Sequence, residues 1–183
     1  MIFDPFAPFT ASAFQVKAAT GVWERRGAAL LRRQVFCVEQ GLFGGAGGTD
    51  ADALDAIAIT LVAVSDFGVA GDEVVGTVRI HEAAPGEWWG SRLAVARPYR
   101  RVAALGQALI RLAVSTAHAQ GCRRFLADVQ TQNTALFRRL HWEELAALDR
   151  HGRPHARMQA DMDFYPPFHA PETGFYATAH AGG

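Results

Sequence analysis

The stretch Arg92-Leu-Ala-Val-Ala-Arg-Pro-Tyr-Arg-Arg-Val-Ala-Ala-Leu-Gly-Gln-Ala-Leu-Ile110 carries the densest chemistry in the chain. It reads as a strand that passes through an arginine-rich turn into an amphipathic helix. Ala103, Ala104 and Gly106 are small enough for main-chain N–H groups to approach a ligand closely, and the helix start adds the positive end of its dipole. Arg100 and Arg101 add full charge, so the turn suits a pyrophosphate; an ordinary basic surface loop would have the same residues. Groups able to take a proton lie elsewhere: Glu39, after a helix and before a glycine-rich loop, and His81 and Glu82, at the end of a strand. Asp128, flanked by apolar residues, could equally be a satisfied structural acid.

Several other chemistries are excluded. His151 and His155 have the spacing of helical zinc ligands, but Gly152 and Pro154 argue against a helix there, so no metal is expected. No G-x-S-x-G elbow surrounds Ser12, Ser65, Ser91 or Ser115, and Cys37 and Cys122 read as buried apolar residues rather than nucleophiles.

The elements that must position these residues follow from periodicity and turn signals. Phe14 to Ala18 suits a short strand, and Thr20 offers an N-cap and Glu24 a first-turn acid for a helix to about Val38, with Leu30, Leu31, Val35 and Val38 at helical spacing. Gly41 to Gly48 lacks the G-x-x-x-x-G-K-[ST] pattern of a phosphate cradle and reads as a mobile loop. Strands near Ala56–Val64, Val74–His81 and Trp88–Ala96, separated by Gly68–Gly71 and Pro85-Gly86, form an antiparallel meander. A helix from Ala104 to Ala119 follows, with Leu105, Leu109, Leu112, Ala113 and Ala117 in one stripe and Gly121 at its end. Then come a strand at Arg124–Val129, a short helix from Asn133 to Leu140, and two strands around Arg150–Pro154; in the last, Ala156, Met158, Ala160 and Met162 alternate with polar residues. The order predicts an α/β (α+β) domain, a mixed sheet flanked by helices. Residues 1–13 read as an extended lead-in whose Phe3, Phe6 and Phe9 pack on the domain, 14–163 as the domain, and 164–183 as an aperiodic surface arm.

Composition narrows the function. The chain has 183 residues with 18 basic and 18 acidic side chains, so a strongly basic nucleic-acid binder is excluded and an anionic membrane partner is disfavoured. No apolar stretch reaches the roughly 20 residues that span a bilayer, and the start lacks a basic n-region; a soluble, unprocessed, cytoplasmic protein is the expectation. Charge is unevenly spread: Asp50 to Glu87 sums to −7 and Arg92 to Arg139 to +8. Separate faces would attract a cationic and an anionic ligand; solvated surface is the alternative.

The sequence resembles the GNAT superfamily of acyl-CoA-dependent N-acetyltransferases. Arg101-Val-Ala-Ala-Leu-Gly106 is similar to its Q/R-x-x-G-x-G/A cofactor motif, with Ala104 where the first glycine is usual. Arg32-Arg-Gln-Val-Phe-Cys-Val-Glu-Gln40 is similar to the R-x-x-V-F-x-x-E-Q signature of several branches, and Asn133-Thr-Ala-Leu-Phe-Arg-Arg-Leu-His-Trp142 to a shortened N-x-x-A-x-x-F-Y motif. Gly90–Val95 and Arg153–Met158 suggest a bacterial branch of unassigned substrate.

The resemblance implies a GNAT-like, mostly antiparallel mixed sheet and transfer of an acetyl or other acyl group from acetyl-CoA directly to a primary amine, of a small molecule or a peptide, with no metal. It implies that Leu93, Ala94 and Val95 offer main-chain groups to the pantetheine arm, that Arg100, Arg101, Val102, Ala103, Ala104, Leu105, Gly106 and Gln107 hold the pyrophosphate, and that Asn133 and Phe137 meet the cofactor from the last helix. Glu39, His81 or Glu82 would take the amine's proton. Phe137 stands at the family's tyrosine, so Tyr99 or a water would protonate the thiolate, or the chain binds CoA without turnover. Transfer of a longer acyl group, or from a carrier protein, is a further alternative; dimers are common in the superfamily.

Overall fold

The computed structural model describes residues 11–66 and 72–179. The expected packing of Phe3, Phe6 and Phe9, the Gly68–Gly71 turn and the last four residues of the tail lie outside the described residues. The described strands are β1 (Ala13–Ala18), β2 (Ile59–Ser65), β3 (Glu73–Ala84), β4 (Glu87–Val95), β5 (Arg124–Gln130), β6 (Trp142–Arg150), β7 (Arg153–Ala160) and β8 (Phe175–Thr178). They form one eight-stranded sheet in the order β6-β7-β5-β4-β3-β2-β1-β8. Only β4 and β5 run parallel among these pairs; the rest are antiparallel.

Helices cover both faces. On one, α2 (Ala103–Ala119) buries Leu105, Leu109 and Leu112 against Phe14, Val16, Leu61, Val78, Ile80 and Phe125. Its approach is close enough to require Gly76 in β3, where a Cβ would stand 2.8 Å from Leu109 Cδ1. On the other face, α1 (Val22–Arg32) packs Ala28 and Leu31 on Val62, Val64, Val74 and Ala94. A short α3 (Thr134–Arg139) follows β5 and buries Phe137 against Trp142.

The first helix differs from the sequence expectation in three ways. Its N-cap is Gly21 rather than Thr20, and the Glu24 carboxylate accepts from the Thr20 and Gly21 main-chain N–H groups and from Lys17. After Arg32 the chain widens into a π-helical segment, Arg33–Glu39, with the Gln40 N–H donating to the Val35 carbonyl. Insertion of a π turn rotates the apolar stripe. Leu31, Val35 and Phe36 are buried and Val38 is turned outward, whereas Leu30, in the α-helical part, is exposed because it lies off the Ala28–Leu31 face.

Two terminal features also depart from expectation. Asn133 precedes α3 but makes no side-chain cap; Thr134 Oγ1 instead donates to the Thr131 carbonyl at 2.9 Å. Within 164–183, expected as a surface arm, Phe175–Thr178 pairs antiparallel with β1, and Tyr165 is buried, its hydroxyl accepting from Trp142 Nε1 at 3.1 Å. Met162 lies in a 3-10 turn after β7 rather than continuing the strand.

Ion pairs make the fold acid-sensitive. Burial acts to raise the Glu24, Asp55 and Asp128 carboxyls, but their arginine and lysine partners and main-chain donors outweigh it and hold all three below the usual range; Arg79 does the same for Asp52. A depressed folded-state pKa contributes stability that is present above the unfolded value near 4 and is lost as pH falls through the folded one. Urea unfolding midpoints are expected to ease down as pH falls below about 6.5, where the unfolded chain protonates His81 and His151 more readily than the folded one does, and to drop steeply below about 4.

Candidate active site

The parallel strands β4 and β5 are paired from Glu87–Arg124 to Gly90–Ala127 and no further, although β4 continues to Val95 and β5 to Gln130. They diverge into a wedge beyond Gly90. The cause lies on the β3 side of β4: Arg79 stands opposite Ser91 and Thr77 opposite Ala94, so Arg92 and Leu93 together face Val78. This is a β-bulge, and its first residue, Arg92, has φ 56°. Past the bulge the Ala96 N–H donates to the Val75 carbonyl at 2.8 Å. Alternation of an antiparallel ladder then turns the main-chain groups of Ala94 toward β3 and those of Leu93 and Val95 into the wedge. Of the three strand residues expected along a pantetheine arm, Leu93 and Val95 turn their backbone toward the wedge, where the Val95 carbonyl is taken by Arg100 Nε, and Ala94 buries its side chain under α1.

The chain leaves β4 through a 3-10 turn at Arg97–Tyr99 and enters α2 with Val102 at the N-cap position. No side chain caps this helix. The Val102 and Leu105 N–H groups are bonded to the Tyr99 and Val102 carbonyls, and the Leu105 side chain is fully buried, which narrows the expected phosphate cradle to Ala103, Ala104 and Gly106. Among the described residues a Cβ built on Gly106 meets Leu136 Cδ2, at 3.8 Å, so the space beside Gly106 is open and α3 flanks it. Arg101 and Gln107 are exposed beside it, and so is Asn133 at the start of α3. Arg100 is engaged: its Nε donates to the Val95 carbonyl at 3.0 Å and its guanidinium pairs with Glu39.

Thus Glu39 is brought to the wedge as the ion-pair partner of Arg100. Gln40 spans the opposite side, accepting from Gln130 Nε2 at 2.9 Å on its side chain and from Arg153 at 2.6 Å on its carbonyl. The π turn therefore bridges the mouth between the ends of β4 and β5. His81 lies on the face of β3 that carries Arg79, below α1. Burial and the nearby Arg79 charge hold its imidazole below the ordinary value, and its buried Nδ1 has no hydrogen-bond partner among the described residues. Glu82, adjacent in the strand, points to the other face and accepts from the Gly86 N–H at 2.9 Å, closing the β3–β4 turn. It is not brought together with His81 or Glu39.

Phe137 and Tyr99 are core residues. Phe137 packs edge-on against Trp142 at 5.0 Å, and Tyr99 against Phe14 at 5.5 Å with its hydroxyl toward the Ala11 N–H. Asp128 is a structural acid, accepting from Arg150 and Arg157. The Cys122 thiol is pushed up to about 11 by burial.

Sequence reading did not find the network on the α1 side. Asp50, Asp52 and Asp55 are paired with Arg32, Arg79 and Arg92. Three acids of the segment expected to offer an acidic face are therefore neutralised inside the molecule. The only signal was Arg32, at the head of the V-F-x-x-E-Q stretch. A cavity of about 500 Å³ lined by His141, Trp142, Gln159 and Asp161 opens at the opposite end of β6–β7 from the wedge and contains none of the candidate residues. Among the described residues no cluster of three or more His, Cys, Asp or Glu could hold a metal ion, and no helix is long and apolar enough to cross a membrane.

The sequence model of the acetyltransferase (GNAT) family matches residues 49–142, from the aspartate loop to the start of β6. The chain belongs to the GNAT family. It is an acyltransferase that draws its acyl group from an acyl-CoA. Solved structures agree on the fold. A candidate N-acetyltransferase from Lactobacillus plantarum superposes with a TM-score of 0.68 at 18% identity, covering 80% of this chain and 97% of that one. Escherichia coli ElaA gives 0.64 at 20% identity, covering 81% and 98%. An acyl-CoA N-acyltransferase from Pseudomonas aeruginosa gives 0.62 at 18%, covering 81% and 99%. No curated protein matches the sequence significantly.

Proposed function

We propose that this GNAT enzyme transfers an acetyl group from acetyl-CoA directly to a primary amine, with the thioester lying in the wedge between β4 and β5. The observation that carries this reading is the parting of β4 from β5 after Gly90, which turns the Leu93 main chain and the Val95 N–H away from β3 on the strand that leads into α2, a helix with no side-chain cap among the described residues. Amides of Ala103, Ala104 and Gly106 hold the pyrophosphate, with Arg101 adding charge and Asn133 reaching it from α3. A main-chain N–H of the β4 bulge polarises the thioester carbonyl and stabilises the negative charge that develops as the amine attacks.

An alkyl ammonium has a pKa of about 10 and must lose a proton before attack. His81 fits the receiving role: it is neutral near pH 7 and on the α1 face. It stands three positions along β3 from Val78 opposite the bulge, about 10 Å, a span that a short water relay covers. Glu39, fixed by Arg100, orients the mouth rather than taking the proton.

Calorimetric titration with acetyl-CoA tests the site, and thiol release across a panel of primary amines tests turnover; absence of binding would overturn the reading. Gly106→Ala separates binding from folding. The new methyl meets no atom closer than 3.8 Å, and alanine in a helix is favoured over glycine by roughly 0.5–1 kcal/mol, so thermal stability should stay level or rise. Acetyl-CoA affinity should nevertheless fall about tenfold, because the methyl stands where the phosphates approach the backbone.

One observation favours a second reading, a CoA-binding domain without turnover. Phe137 has no exchangeable proton and Tyr99 is buried in the core, so neither offers a proton to the departing thiolate. Steady thiol release with any amine of the panel excludes it.

A further inference from the structure

Four non-glycine residues among those described have positive φ: Phe43, Arg92, His151 and His141. Side chains seldom adopt this conformation without compensation from their surroundings, and such residues gather where geometry matters to function. Three of the four form one contact chain over the β4 bulge. The Arg92 guanidinium carbon lies 4.5 Å from the Phe43 ring centroid, and that ring meets His151 edge-on at 4.6 Å. Phe36, from the π-helical segment, flanks the same guanidinium at 5.9 Å.

Beneath them Asp50, only 4% exposed, holds two arginines at once. Its Oδ2 accepts from Arg32 Nε at 2.7 Å and from Arg92 Nε at 3.2 Å, and its carbonyl accepts from Arg92 Nη2 at 3.2 Å. Arg32 belongs to α1 and Arg92 is the bulge, so this one carboxylate staples the helix to the strand irregularity that opens the wedge.

We infer that Asp50 is a positioning residue: by clamping Arg92 in the left-handed conformation against Phe43, it sets the bulge that directs the Leu93 main chain at the thioester carbonyl. A bulge of this kind ordinarily places glycine at the left-handed position, which has no Cβ to resist it. Here an arginine occupies the position, and the clamp supplies what glycine would give without help. The inference rests on the thioester lying in the wedge.

It has a specific consequence. Asp50→Asn keeps the volume but loses the buried ion pair to Arg92, leaving it the longer 3.4 Å contact with the more exposed Asp52, so the bulge relaxes and its amide swings off the carbonyl. Arg92→Gly holds the bulge with no clamp. The double variant Asp50→Asn/Arg92→Gly should therefore recover what Asp50→Asn loses, although it removes more native contacts.

Acetyl-CoA carrying carbon-13 at its carbonyl reads this without a known amine, because infrared difference spectra report polarisation of the bound thioester as a downshift of its stretch. The wild type and Arg92→Gly are expected to show the downshift and Asp50→Asn to lose it, with acetyl-CoA affinity within about threefold in all three. The double variant should regain it. Thiol release with the best amine of the panel should fall about tenfold in kcat for Asp50→Asn, with KM for acetyl-CoA little changed, and recover in the double variant. A downshift that persists in Asp50→Asn, or a double variant no better than Asp50→Asn, overturns the inference and leaves the wedge assignment standing. Wild-type protein that binds no acetyl-CoA removes both.

Discussion

Replacement of His81 by glutamine is expected to lower kcat by about 10²-fold while leaving acetyl-CoA affinity unchanged. Glutamine keeps the size and polarity of the imidazole but cannot accept a proton at neutral pH. The pH profile carries the sharper signature. Burial and the Arg79 charge lower the imidazole's pKa from its ordinary value of 6.5, so the neutral, accepting form predominates at pH 7 and is lost only as pH falls below 6.5. Wild-type kcat/KM should therefore show an acidic limb below that value, and the limb should vanish in the variant, leaving a low, flat rate over the same range. A full-rate variant with an unaltered limb would assign the proton to another group, with Glu39 the next to test.

Two residues along the same strand, Arg79→Ala should cost about 3 kcal/mol in urea unfolding. Arg79 is 1% exposed and donates to both Asp52, at 2.7 and 2.8 Å, and Asp55, at 2.8 Å. Removing one member of a buried ionic cluster typically costs about 3–5 kcal/mol, because the remaining charges stay desolvated without a counter-ion. The lower end applies here, since the two carboxylates are about a third exposed (38% and 31%) and water screens them. Arg79→Met with Asp52→Asn should regain part of the loss by filling the volume and removing the orphaned charge. A Met/Asn double variant no more stable than Arg79→Ala would mean that the guanidinium's hydrogen bonds to Ser91, Asp52 and Asp55, rather than its volume or charge balance, hold β3 in place.

Much of the architecture was legible because it depends on local patterns. The β2–β3–β4 meander, α2 with its leucine stripe, and the β6–β7 hairpin each announce themselves by periodicity and turn residues within a short window. Where reading failed, the cause was a distant partner. The π-helical segment has no local marker, and its consequence, the outward turn of Val38, contradicts a stripe that looked continuous. β8 is four residues long and exists because β1 has a free edge to pair with. The acidic segment looked like a surface field because its arginine partners lie 18 to 42 positions away in the chain.

The candidate site divides along the same line. Residue order by itself determined that a strand leads through a basic, small-residue turn into a helix, since strand alternation, helix period and side-chain size are local properties. Tertiary structure alone decided that β4 parts from β5 after Gly90, that Glu39 and Gln40 bridge the parting strands, that Glu82 faces away from His81, and that Arg92 bends left-handed under Asp50. Each of those is an outcome of competition between groups far apart in sequence, settled by which of them can be desolvated together, and no window along the chain contains both competitors.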